Sequence, residues 1–193
     1  MEFEGVPHTD FLESIKEVLK HSMNSNGLLA CNEIPGWIRC QKEKSSISFQ
    51  YPSANLKNHT LEFYGFVFLV VINPAPLLPP LYCYYDMRIE TLDSKAVRYA
   101  CHEYRGIRLE VEGILFLHVN TVNDLYNYGF GDIKAGEVIK ATPITEVYEG
   151  FYRDRKIRSP SLVEASVVKK IGVEALYRDK DGSLQLLPLT QVG

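Results

Sequence analysis

Cysteine is sparse in this 193-residue chain, and no two of its four cysteines stand at a Cys-x-x-Cys spacing. A zinc knuckle or a redox dithiol needs that spacing, so neither is supported. Cys31, Cys40, Cys83 and Cys101 are expected to act as small buried apolar groups, not as a disulfide framework. Long hydrophobic runs are missing as well. The longest, Phe63 to Ile72, is about ten residues, half of what a membrane-spanning helix needs. No membrane partner is expected. Positive charge is not in surplus either: 21 Lys and Arg against 24 Asp and Glu leave a formal −3. Such a chain has no excess of cations for a phosphate backbone, so no nucleic-acid partner is expected. The first residues, Met1-Glu2-Phe3-Glu4-Gly5, are acidic and lead into no apolar run. That excludes a secretory signal there and predicts an intracellular protein, cytoplasmic or nuclear. The sequon Asn58-His59-Thr60 then reads as accidental.

Catalytic motifs are absent too. There is no G-x-x-x-x-G-K-[ST] or G-x-G-x-x-G to cradle a phosphate, no G-x-S-x-G elbow and no H-E-x-x-H. His8, His21, His59, His102 and His118 are scattered. A metal-binding jelly roll draws two histidines from alternate positions of one strand, plus a carboxylate. Here Glu103 follows His102 directly, so the two face opposite ways on a strand, and His118 has no histidine two residues away. Cys101-His102-Glu103 is an adjacency in sequence, which does not make a nucleophile and its base. The reading is a non-enzymatic chain with no cofactor and no metal.

What is present is the composition of a folded domain, 46% hydrophobic and 11% aromatic. Phe11, Leu12, Ile15, Val18 and Leu19 recur at the helical period, with Asp10 placed to cap and Glu13 three residues on. Asn24-Ser25-Asn26-Gly27 ends that helix. Beyond it, short apolar stretches alternate with turn residues. Strands are predicted over 28–31, 46–50, 63–72, 82–90, 107–111, 114–119, 137–142 and, in two parts, 163–177. Ile47 and Phe49 share one face, and Cys83, Tyr85, Met87 and Ile89 form the core face of their strand. Residues 63–72 read as a central strand buried on both sides, with Gly65 marking a close approach or a bulge.

Three loops stand out. Residues 73–80 carry four prolines. Residues 120–131 are rich in Asn, Tyr and Gly. Residues 150–160 carry Arg153, Arg155, Lys156 and Arg158. The fold class is therefore mostly β: a jelly-roll or immunoglobulin-like β-sandwich of about eight or nine strands with a short N-terminal α-helix. Its parts are a helical lead-in over 1–27, the sandwich over 28–178 and a C-terminal tail over 179–193.

Certain motifs occur in a recognisable order. They are Glu33-Ile34-Pro35-Gly36-Trp37-Ile38, then Lys44-Ser45-Ser46-Ile47-Ser48-Phe49, then Phe63-Tyr64-Gly65-Phe66-Val67-Phe68. Gly113 to Val119, Val138 to Ala141 and Val168 to Tyr177 follow. The series resembles the C-terminal jelly-roll and immunoglobulin-like domain (C-JID) that follows the leucine-rich repeats of plant TIR-type nucleotide-binding immune receptors. The resemblance covers roughly residues 28 to 178. It departs from the family at Lys44, Leu69 and Ile171, where the family has a glycine and two cysteines. The TIR domain, nucleotide-binding domain and repeats of a full receptor have no counterpart in the sequence, so their activities are not carried over.

The resemblance implies a module of plant defence that contacts pathogen effectors or another protein, beside a leucine-rich-repeat array in cis or in trans. It casts Ile34, Pro35, Trp37, Gly65, Phe66 and Gly172 as fold anchors. Aromatic and Arg side chains in loops are where binding energy concentrates. The expected partner contacts are therefore Tyr126, Tyr128, Phe130, Phe151, Tyr152, Arg153 and Arg155. Two alternatives stand beside this reading. The domain could be a structural cap or truncated relic of a repeat array, or a sugar- or metal-binding jelly roll.

Overall fold

Residues 61–72 are apolar at nearly every position, and the chain is built around them. A computed structural model of the protein describes residues 8–20, 26–29, 33–43, 45–57, 60–72, 81–92, 97–100, 107–108, 114–149 and 168–193. In chain order the elements are α1 (His8–Lys20), β1 (Asn26–Leu29), β2 (Gln41–Lys42), β3 (Ile47–Gln50), β4 (Asn55–Leu56), β5 (Leu61–Ile72) and β6 (Leu81–Thr91). There follow β7 (Val97–Ala100), β8 (Ile107–Arg108), β9 (Ile114–Thr121), α2 (Val122–Asn127), β10 (Val138–Glu149), β11 (Val168–Asp179) and β12 (Leu184–Leu187). The larger sheet runs β1-β9-β5-β11-β12, with β2 beside β11 and β4 beside β5. The smaller runs β3-β10-β6-β7, with β8 beside β6. All these pairings are antiparallel. The chain is a mostly β sandwich, as its alternating strands predict.

Two apolar layers hold it. The inner layer lies between the sheets. Ile47 and Phe49 of β3, Met87 and Ile89 of β6, and Ile139 and Ala141 of β10 meet Phe66, Phe68, Val70 and Ile72 of β5 there, with the odd-numbered positions 171–177 of β11. Its rings interlock edge to face: Phe63 on Phe66 at 5.0 Å, Phe49 on Phe66 at 5.2 Å, Tyr51 on Phe63 at 5.5 Å. Each such pair adds about 1 kcal/mol beyond simple burial. The outer layer lies on the far face of the larger sheet. Phe11 and Ile15 of α1, with Ile34 and Ile38 of the connection from β1 to β2, cover Val67, Leu69, Val71, Leu115, Leu117 and Val119. That is why β5 carries hydrophobic side chains on both faces.

Gly65 keeps the two layers in phase. Strict alternation counted back from Phe66 would send Phe63 outward. Leu176 pairs with Gly65 but Tyr177 pairs with Phe63, so Tyr64 is an extra residue in β5. The bulge returns Phe63 to the inner layer and turns Tyr64 to the outer one, where the Arg178 guanidinium sits 4.7 Å over its ring. A Cβ at Gly65 would lie 2.1 Å from the Asn120 carbonyl oxygen. Both the close approach and the bulge are present. A second register shift, between Val168 and Lys170, does the same for β11, leaving Val168 and Ile171 both facing inward.

Of the other anchor residues, Phe66 lies in the inner layer and the rest lie on the outer one. Ile34 and Pro35 are buried, and Trp37 stands edge-on to Phe11 at 5.1 Å. Gly172 packs beneath Ile34 and Ile38, where a Cβ would meet their side chains at 3.1–3.3 Å.

Several expectations are corrected. Asp10 lies inside α1, which starts at His8, so it is not the cap. From Val168 to Asp179, β11 is one continuous strand with a bulge, and residues 163–167 of the expected strand lie outside the described residues. β10 runs through Pro143 to Glu149. β3 pairs only with Val138–Ala141, so Pro143 lies where that edge of β10 has lost β3 and a missing N–H is tolerated. The supposed tail, 179–193, belongs to the sandwich. β12 pairs with β11, Leu189 enters the inner layer, and Gln50 and Val192 exchange backbone bonds with Thr190 and Ser48. The chain end thereby ties the larger sheet to β3 of the smaller one. The proline-rich loop 73–80 lies outside the described residues.

Candidate functional site

The connection from β9 to β10 is more ordered than a loop rich in Asn, Tyr and Gly predicts. Thr121 and Asp124 form a capping box. The Asp124 N–H donates to Thr121 Oγ1 at 3.2 Å, and the Thr121 N–H donates to Asp124 Oδ2 at 2.9 Å. That starts α2. Its Leu125 is buried in the inner layer, and Gly129, with φ of 82°, turns the chain back. The Phe130 N–H then donates to the Leu125 carbonyl at 2.8 Å. Phe130 is 2% exposed and forms part of the inner layer, which corrects its assignment as a partner contact. An aromatic residue next to a turn reads as a partner contact; here it is the plug that holds the turn down. Tyr128 is half-buried against the same layer.

Tyr126 points the other way and is 70% exposed. Its ring lies on the backbone of Gly131, where a Cβ would come 2.8 Å from Cδ2. The ring is thus exposed yet braced. Val122, one helical turn earlier on the same face, is exposed too. Leu92 is the third large exposed hydrophobic among the described residues. Its N–H donates to the Val138 carbonyl, at the foot of β10 where the α2 connection rejoins the sheet. All three lie at one end of the sandwich. The same end is tied to β3 by Tyr51, which donates to the Glu137 carbonyl at 2.8 Å and accepts from the Gly136 N–H at 2.9 Å.

Comparison with protein-family models, with curated proteins and with solved structures finds no match to this chain. The site therefore rests on its geometry alone.

That geometry bears on three of the seven expected contacts. β10 spans Val138–Glu149, about 36 Å at roughly 3.3 Å per residue. Tyr126, Tyr128 and Phe130 precede its first residue, at the α2 end. Phe151, Tyr152, Arg153 and Arg155 lie outside the described residues. Sequence reading missed Val122 and Leu92. The Thr121-x-x-Asp124 box was the available signal, since it starts a helix on which Val122 and Tyr126 stand four apart.

His118 is buried beside Phe68 at 6.1 Å between rings. Cys101, His102 and Glu103 fall outside. Among the described residues no three His, Cys, Asp or Glu side chains gather as a metal site. The free Cys40 thiol is pushed up to about 12, by burial first and by the nearby Glu174 carboxylate second. A thiol held protonated in this way is a weak nucleophile. Among the described residues no helix is long and apolar enough to cross a membrane.

Proposed function

We propose that the protein is a non-enzymatic recognition module that binds another protein through the α2 end of its sandwich. The observation that carries this is the gathering of Leu92, Val122 and a braced Tyr126 at that end, when the other large hydrophobic side chains described there are covered. A rigid exposed tyrosine offers wide contact area at little entropic cost. The resemblance to C-JID domains gives the setting: plant defence inside the cell, with a pathogen effector as the partner.

The test sets the purified wild type and its Tyr126→Ala variant against a panel of secreted pathogen effectors and against leucine-rich-repeat fragments, by surface binding. Expected is binding to an effector that weakens about tenfold or more in the variant, with an unchanged melting temperature. Losses of binding and melting temperature in step would overturn the assignment of the site. Binding only to repeat fragments would make the domain a brace of a repeat array instead.

A further inference from the structure

Beyond partner binding, the outer layer contains a feature that the recognition reading does not use. Residues 33–42 form a strap. They start on the outer face of the larger sheet, where Ile34 and Ile38 close over Gly172, and finish at the sheet's edge as β2. The Val173 N–H donates to the Cys40 carbonyl at 2.9 Å where the strap reaches that edge. Through the Trp37–Phe11 contact the strap also holds α1.

Within this aliphatic layer lies a carboxyl group. Glu174 of β11 is 3% exposed. Its Oε1 accepts the Arg39 N–H at 2.9 Å, and the Cys40 N–H is a second donor. Two strap amides therefore converge on one buried acid. Among the described residues, the titratable or charged groups that act on it are the Arg39 guanidinium and the Cys40 thiol, both on the strap. From β5 its register partner is Val67, and α1 faces the layer with Phe11 and Ile15.

We propose that Glu174 is a proton-controlled latch: protonated, it holds the 33–42 strap and α1 on the sheet; ionised, it lets them loosen. Burial raises the carboxyl above its ordinary value of 4.5, and the pull of the Arg39 and Cys40 groups in the other direction does not cancel this. A carboxyl raised in the folded form stabilises docking fully below the ordinary value. That contribution is lost as pH rises through the raised one. Each unit between the two values is about tenfold in the docking equilibrium.

Trp37 is the chain's one tryptophan, so fluorescence reads the strap directly. The full chain is titrated between about pH 4 and 8 with acrylamide as quencher. In the wild type, emission is expected to move to the red and quenching to rise with pH. In Glu174→Gln both are expected to stay at their low-pH values throughout. A flat wild-type curve, a red shift on acidification, or the same curve in both proteins overturns the latch. Should Glu174→Gln fail to fold, hydrogen exchange on the wild type decides, corrected for intrinsic rates. Protection at Arg39 and Cys40 falls with rising pH while protection at Phe66 and Phe68 holds; parallel loss at all four overturns the proposal. None of these readouts involves a binding partner, so the latch and the recognition site stand or fall separately.

Discussion

The inner and outer layers of this sandwich share β5 and differ in almost everything else. The inner layer is a chain of interlocked rings, with His118 buried beside Phe68. Two bulges keep its residues facing in. The outer layer is mainly aliphatic, is covered by a helix and a strap instead of a sheet, and contains Glu174. A sheet lid is held by backbone pairing along whole strands. A strap is held by a few side chains and a few amides. The inner layer should therefore fail as a unit, and the outer one should open by itself.

The largest effect tests the inner layer. Gly65→Ala sets a Cβ 2.1 Å from a backbone carbonyl oxygen, so β5 and β9 must part or the bulge must move. A loss of about 4 kcal/mol or more in denaturant unfolding is expected, in a single transition. Phe11→Ala tests the outer layer. Truncating a fully buried Phe can cost 3–5 kcal/mol, but here the loss is capped at whatever docks α1, about 2 kcal/mol. Trp37 emission should shift to the red before the far-ultraviolet β signal changes; one shared transition would erase the distinction between the layers. Gly172→Ala is the mildest. Its Cβ would press at 3.1–3.3 Å on the side chains of Ile34 and Ile38, which can shift, so about 1 kcal/mol of loss is expected. Comparing Gly65 with Gly172 is the sharpest form of the contrast. One glycine faces backbone, the other faces adaptable side chains.

Much of the inner layer was legible in the sequence because strand alternation has a period of two. Ile47 with Phe49, Met87 with Ile89, and the doubly buried 63–72 run all follow from it. Gly65 was legible as an interruption. Pro143 hid the second half of β10, since a proline reads as a strand end unless the neighbouring strand is known to have stopped first. β12 was hidden for a related reason. Four residues, Leu184–Leu187, half-buried at every position, show no alternation to read. At the candidate site, Tyr126 and Phe130 look alike in sequence, as aromatic residues of one stretch rich in Asn, Tyr and Gly. Which one plugs the core and which one faces solvent depends on where α2 starts, and the weak signal of the Thr121–Asp124 box decides that.

By itself the sequence determined the class of the protein. Its apolar alternation makes strands, and its amphipathic N-terminal segment makes a helix. Tertiary structure alone decided three things. It folded the last fifteen residues into both sheets. It plugged Phe130 into the core and left Tyr126, four residues earlier, facing solvent. It also buried Glu174 under a strap whose amides lie 135 residues away from it in sequence. The physical reason is common to all three. Periodicity reports which face a residue takes within its own element, but burial, contact and proton affinity depend on what another element brings to that face.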